Sequence, residues 1–79
     1  MYTIYILKLD GKKRFYIGVT SNFERRLNEH VRGLVKSTRY RYTGVMLTEI
    51  YNIKKEAWAR EKWLKSSAGR IWITETLNI

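Results

Sequence analysis

The stretch FYIGVTSNFERRLNEH, residues 15–30, decides the fold, because a short apolar strand leads within it into a basic helix. The apolar residues at its start predict a strand. Ser21 or Asn22 is suited to cap a helix over residues 22–33, and Gly33 is placed to end that helix. A strand, a polar turn and a helix therefore form one compact unit.

The polar side chains of this unit are unevenly placed around the predicted helix. At about 100° per residue, His30 falls inside the apolar stripe of Leu27, Val31 and Leu34, and Arg26 falls on its rim. A histidine on an apolar face is more often a satisfied core residue than a catalyst, whereas a buried guanidinium needs anionic partners. The other polar residues of the helix are predicted to point away from the core: Arg25, Asn28, Glu29 and Arg32.

The two strands before the helix form a predicted hairpin, marked by the turn signal Asp10-Gly11. A two-residue loop sets Tyr5 opposite Tyr16, whereas a four-residue loop sets Leu7 opposite Tyr16. Both registers place the two tyrosines on one face of the sheet, because side chains alternate along a strand.

The rest of the chain predicts a third strand and two more helices. Gly69 is expected to separate the last two helices, and residues 34–44 read as a basic loop without a clean period. The elements predicted in the order ββαβαα are strands 2–9 and 13–19, helix 22–33, strand 45–52, and helices 54–66 and 70–78.

Glu61 is the informative residue of the second helix, because it falls in the middle of an apolar stripe. The stripe consists of Ile53, Ala57, Leu64 and Ala68. An unpaired carboxylate there would cost several kcal/mol. We therefore expect Glu61 to have a partner, which is either a cation such as Arg26 or a metal ion.

Length and composition indicate one small domain held together by packing alone. The chain has 79 residues and no cysteine, which excludes disulfides and thiolate zinc sites. Its amino-terminal apolar run is too short for a signal sequence or a membrane span. A soluble cytoplasmic protein, either a monomer or a weak homodimer, is the expectation.

The charge indicates a polyanionic partner. The net charge is +9, and residues 8–42 hold ten of the sixteen basic side chains but three of the seven acidic ones. Tyrosines alternate with arginines in the loop, an arrangement that favours nucleic acid over a membrane surface. A basic face kept only for solubility is the plainer alternative. The residues expected to contact nucleic acid are Lys36, Arg39, Tyr40, Arg41 and Tyr42.

Five inward-facing polar residues are the candidates for chemistry: Tyr5, Tyr16, Arg26, His30 and Glu61. With a single histidine and no cysteine, zinc is disfavoured, whereas one carboxylate suits Mg²⁺, which keeps waters and takes ligands from phosphate. Arginine can neutralise charge on a phosphoryl oxygen, and tyrosine or histidine can accept a proton from water. These parts together indicate metal-assisted phosphodiester hydrolysis.

Four short motifs give the chain a resemblance to the GIY-YIG nuclease superfamily, especially to small stand-alone members similar to the catalytic domain of UvrC-type excinucleases. They are Thr-Ile-Tyr at 3–5, Tyr-Ile-Gly at 16–18, the helix motif at 23–30 and Glu-Ala-x-x-x-Glu at 56–61. The combined spacing is specific, although each motif alone is weak. Thr3 stands where glycine is usual in the first motif. Larger enzymes of the family also use an asparagine near the end of the fold, and no residue here matches it.

The resemblance implies an α+β fold, with a three-stranded antiparallel sheet flanked by helices, and DNA cleavage with Mg²⁺ or Mn²⁺. It implies that Tyr16 is a general base or water-positioning group, that Arg26 stabilises the phosphate, and that Glu61 holds the metal. Tyr5 and His30 become supporting groups of the active site. Two alternatives remain open: a catalytically idle module that only binds nucleic acid, and RNA as the substrate.

Overall fold

Within the described residues, three strands and three helices follow one another in the order ββαβαα, which confirms the predicted α+β class. The computed structural model describes residues 1–12 and 14–78. The elements are β1 (Tyr2–Leu9), β2 (Phe15–Thr20), α1 (Phe23–Val31), β3 (Tyr42–Tyr51), α2 (Lys54–Leu64) and α3 (Ser67–Leu77). Lys13, the predicted first residue of β2, lies outside the described residues. None of the helices in the described part of the chain is long and apolar enough to cross a membrane.

The sheet has the order β2-β1-β3, and both pairings are antiparallel. Leu7 pairs with Tyr16, so the register is that of the four-residue loop. The Leu9 amide donates to the Arg14 carbonyl at 2.8 Å and closes this hairpin. β3 begins at Tyr42, three residues before the predicted start at 45, so the loop before it is shorter than expected.

The central strand β1 is apolar on both faces because each face is covered by helix. Ile4 and Ile6 pack in a core with residues of β2, α2 and α3: Ile17, Ala57, Leu64 and Ile73. The opposite face carries Tyr5, whose ring packs on Phe23 of α1. The site residues of β1 therefore lie on the α1 side of the sheet.

Helix α1 is capped by Asn22, whose side chain accepts from the Arg25 amide at 3.1 Å. Gly33 follows its end with φ of +75°, as the predicted stop requires. The predicted apolar stripe is wrong at its far end, since Val31 and Leu34 are 57% and 58% exposed. Val31 is the last residue of α1, and Leu34 lies beyond its end, so the helix period no longer governs the stripe there.

The prediction that Gly69 separates the last two helices is wrong. Gly69 lies inside α3 and is buried. An added Cβ there would stand 2.1 Å from the Trp63 carbonyl oxygen and 2.5 Å from the Leu64 Cα. Glycine is therefore required for close contact between α2 and α3. Ile53 and Ala68, predicted for the apolar stripe of α2, are exposed instead.

Arg60 joins α2 to the sheet and to α3. Its guanidinium donates two hydrogen bonds to Glu49 of β3, at 3.0 and 3.1 Å. It also lies over the rings of Trp63 and Trp72, at 4.9 Å from each centroid. This contact explains the position of Trp63, which packs edge-on against Trp72 of the terminal helix.

Candidate active site

A chain of buried hydrogen bonds runs from β1 through α1 into the basic loop. The Tyr5 hydroxyl lies 3.0 Å from His30 Nε2, and His30 Nδ1 lies 2.8 Å from the Thr38 hydroxyl. All three residues are buried. The loop is thereby tied to the face of the sheet that carries the tyrosines.

The neighbouring groups favour one direction for these hydrogen bonds, because the Arg26 guanidinium, which can only donate, hydrogen-bonds to the Tyr5 hydroxyl. The Thr38 hydroxyl donates to the Val35 carbonyl at 3.4 Å, so it accepts from His30 Nδ1–H. Nε2 of a neutral imidazole is then an acceptor, and the Tyr5 hydroxyl donates to it. Thr38 was missed by sequence reasoning, since a threonine in an aperiodic basic loop carries no local signal of burial.

Aromatic packing gathers the predicted residues of three elements. The Tyr16 ring lies 6.2 Å from the Tyr5 ring and 5.1 Å from the His30 ring, centroid to centroid. The prediction that the two tyrosines share a face is therefore confirmed. Gly18 makes room for this packing, because a Cβ there would stand 2.3 Å from the Tyr5 hydroxyl oxygen.

Arg26 lies beside these rings and pairs with Glu29. Its guanidinium donates to the Glu29 carboxylate at 2.9 Å, and Glu29, which is predicted to point away from the core, keeps 33% of its side chain exposed in this pair. Spacing of three residues on a helix brings these two side chains together. Hydrogen bonding to Glu29, and then to the Tyr5 hydroxyl, raises the pKa of Arg26 further, so this side chain is a permanent cation.

Glu61 lies on α2 with most of its side chain buried. Its side chain is 18% exposed and accepts from Lys65 at 3.1 Å. Of the two expected kinds of partner, the described residues supply a cation, although it is Lys65 and not Arg26. Burial is the main cause that raises the pKa of Tyr5, and the negative charge of Glu61 adds a smaller contribution in the same direction. In residues 1–12 and 14–78, no group of three or more histidine, cysteine, aspartate or glutamate side chains is placed to hold a metal ion.

Burial decides the protonation of the two central residues. Burial, as the largest cause, raises the pKa of Tyr5 to about 12, although Arg26 opposes that shift. Burial and then the positive charge of Arg26 lower the pKa of His30. At neutral pH both groups are therefore uncharged, which matches the hydrogen-bond directions above.

The lowered pKa of His30 predicts that the domain loses stability as the pH falls. Below about pH 6.5 the unfolded chain binds a proton that the buried imidazole resists, so protonation favours unfolding. The urea midpoint of the wild type should therefore be lower at about pH 5.5 than at about pH 7.5. In His30→Gln this difference should shrink, and an unchanged difference would contradict the assignment.

The basic loop presents one tyrosine to solvent on a constrained backbone. Tyr40 is 93% exposed and has φ of +64°, a conformation that a bulky residue rarely adopts. Side chains on both sides of it hold the loop: Arg39 donates to the Gly33 carbonyl at 2.9 Å, and Arg41 donates to the Asp10 carbonyl at 2.8 Å.

A cavity of about 260 Å³ connects the loop to the site, since Tyr40, Tyr42 and His30 all line it. Two of the predicted nucleic-acid contacts therefore lie beside the tyrosine–histidine cluster. Lys36 is exposed on the same loop but does not line this cavity.

The fold is a small antiparallel α+β domain, with two tyrosines, a histidine and an arginine gathered on one face of its sheet. A comparison with family models matches the GIY-YIG catalytic domain over residues 1–74, and the chain belongs to that family. Membership implies nuclease activity in general, with DNA as the substrate. Neither a search of curated proteins nor one of solved structures found a match.

Proposed function

We propose that this protein is a divalent-metal-dependent endonuclease that hydrolyses DNA phosphodiester bonds. The observation that carries the proposal is the convergence of Tyr5, Tyr16 and His30, with rings or polar atoms in mutual contact, beside the cation Arg26. A cluster that only filled the core would not need a guanidinium at its edge. Such a cation suits a phosphate that enters from solvent.

The residues divide the work of hydrolysis according to their surroundings. Tyr16 is half-buried, so part of its side chain is open to a substrate, and we assign it the role of assisting the attacking water. Arg26 neutralises the charge that develops on the phosphate oxygens. Tyr5 does not act as the base, because its raised pKa keeps it protonated; it connects Arg26 to His30 instead.

The donor set fits one hard divalent ion. Glu61 is a largely buried carboxylate whose ion-pair partner among the described residues is Lys65, a half-exposed ammonium that a metal ion can displace. Mg²⁺ is commonly bound through one or two carboxylates, with water and substrate phosphate as its remaining ligands. Glu61 would hold Mg²⁺ or Mn²⁺, and the bound ion would supply charge stabilisation of the phosphate and a lower pKa for the attacking water.

The test of the proposal is a cleavage assay on duplex, nicked and branched DNA and on RNA, with Mg²⁺, Mn²⁺ or a chelator. We expect metal-dependent cutting of DNA and none in the chelator. Glu61→Gln should lose about 100-fold or more of the rate, because several kcal/mol of charge stabilisation depends on the ion. Binding to DNA in the chelator should be retained.

The matched control is Glu75→Gln, which removes the same charge from an exposed position on α3. It should cut like the wild type. Salt-sensitive DNA binding without cleavage under either metal would instead support the idle module. Cleavage of RNA in preference to DNA would make RNA the substrate.

Gly18→Ala tests the role of the Tyr5 position. The added methyl group would collide with the Tyr5 hydroxyl, and packed aromatic rings leave that side chain little room to move. We expect a loss of about 1–3 kcal/mol of unfolding free energy. Cleavage should fall tenfold or more, on the order of a misplaced catalytic group.

Gly44→Ala is the control for this prediction, because a Cβ at Gly44 meets nothing within 4 Å. Activity and urea midpoint of that variant should match the wild type. If Gly18→Ala cleaves DNA at the wild-type rate, the position of Tyr5 does not matter to the reaction.

A further inference from the structure

A second basic surface lies next to the candidate active site. It is found where β2 meets α2 and α3. Two cavities, of about 290 Å³ and about 240 Å³, lie side by side there and share Phe15 and Arg70. We call their polar and aromatic lining the hairpin groove: Lys12, Arg14, Phe15, Tyr16, Lys65 and Arg70. None of the basic-loop residues lines either cavity.

The hairpin groove is strongly cationic. Four of its six residues are lysine or arginine, and none of the described residues that line the two cavities is acidic. Lys65 is balanced by its pair with Glu61. Lys12, Arg14 and Arg70 are exposed, and their charges suit a run of phosphates.

The active site lies between this groove and the basic loop. Tyr16 lines the groove, His30 lines the cavity under Tyr40 and Tyr42, and the Tyr16 and His30 rings are in contact. A strand that is cut beside Tyr16 would therefore continue into the hairpin groove on one side of the cleaved bond.

We infer that the hairpin groove binds an unpaired segment of the DNA strand that flanks the cleaved bond. The inference rests on the proposed nuclease function and specifies its substrate. Phe15 lines both cavities and offers an apolar face between cations, as in proteins that stack unpaired bases while holding the backbone. A paired duplex keeps its bases inside and could use only the cations.

The test measures DNA affinity in a chelator, where nothing is cut, on a duplex with an unpaired tail and on the same duplex without it. The wild type should prefer the tailed DNA. Arg14→Gln with Arg70→Gln should abolish that preference and lower the slope of log affinity against log salt by about 1.4, for two single-strand phosphates. Phe15→Leu should weaken binding of the tailed DNA about fivefold or more, with the salt slope unchanged.

The matched control is Arg25→Gln with Lys55→Gln, which removes two charges from exposed positions that line none of the three cavities. It should keep the preference for the tail, and thermal unfolding should show each variant to be folded. If the wild type cuts DNA but does not prefer the tailed DNA, the inference about the hairpin groove is wrong and the proposed nuclease function stands. The inference is also wrong if the Arg14/Arg70 variant keeps both the preference for tailed DNA and the wild-type salt slope. A tail preference without cleavage under any metal supports the groove and overturns the nuclease.

Discussion

Arg26→Ala is expected to reduce DNA cleavage by about 10³-fold while leaving the domain folded. Preorganised arginines that neutralise phosphoryl charge contribute about 10³–10⁵ in rate. Arg26 is already held for this task, since Glu29 and the Tyr5 hydroxyl both engage its guanidinium. Truncation should thus affect the rate far more than the affinity for DNA.

The fold should tolerate this change because the ion pair of Arg26 with Glu29 is partly exposed. The side chains are 37% and 33% exposed, and such pairs contribute about 0–1 kcal/mol. Circular dichroism and a urea titration would verify the fold, and single-turnover cleavage would measure the rate.

Two further variants separate the effect of the Arg26 charge from that of its geometry. Arg25→Ala removes the same charge from the neighbouring exposed position and should cut at close to the wild-type rate. Arg26→Lys keeps the charge but loses the forked geometry, so it should recover only part of the activity. If Arg26→Ala cuts at the wild-type rate, another group stabilises the phosphate.

Gly69→Ala is expected to destabilise the domain by about 3 kcal/mol or more, at the upper end of what overpacking costs. The expected sign is the reverse of the usual one, because alanine in a helix is normally better than glycine by about 0.5–1 kcal/mol. Here the methyl group would meet backbone atoms of Trp63 and Leu64 at 2.1–2.6 Å, and a backbone cannot turn aside as a side chain can.

The consequence would spread through the core. α3 would have to move away from α2, and the packing of Leu64 and Ile73 against the sheet would loosen. A fall of about 10 °C or more in the thermal midpoint is the expected measurement. Gly44→Ala, which has open space around it, controls for the general effect of replacing glycine and should change the midpoint little. An unchanged midpoint in Gly69→Ala would mean that the helices can separate at little cost.

Local periodicity was enough to predict most of the candidate site. Side chains alternate along a strand, so Tyr5 and Tyr16 had to share a face in either hairpin register. Helical periodicity placed His30 inward, and the structure buries it. The same reasoning placed Glu61 on the inward side of α2, where 18% of its side chain is exposed.

The amino-acid sequence by itself determined the order of the elements and the faces on which the candidate residues lie, because strand and helix periods are local properties. Tertiary structure alone decided which groups meet. Thr38 lies eight positions after His30 in the chain and reaches it from the irregular loop, and Gly69 is needed only because α3 approaches the backbone of α2. Such contacts depend on how separate elements pack against one another, and the local periodicity of the sequence does not determine the distance between those elements.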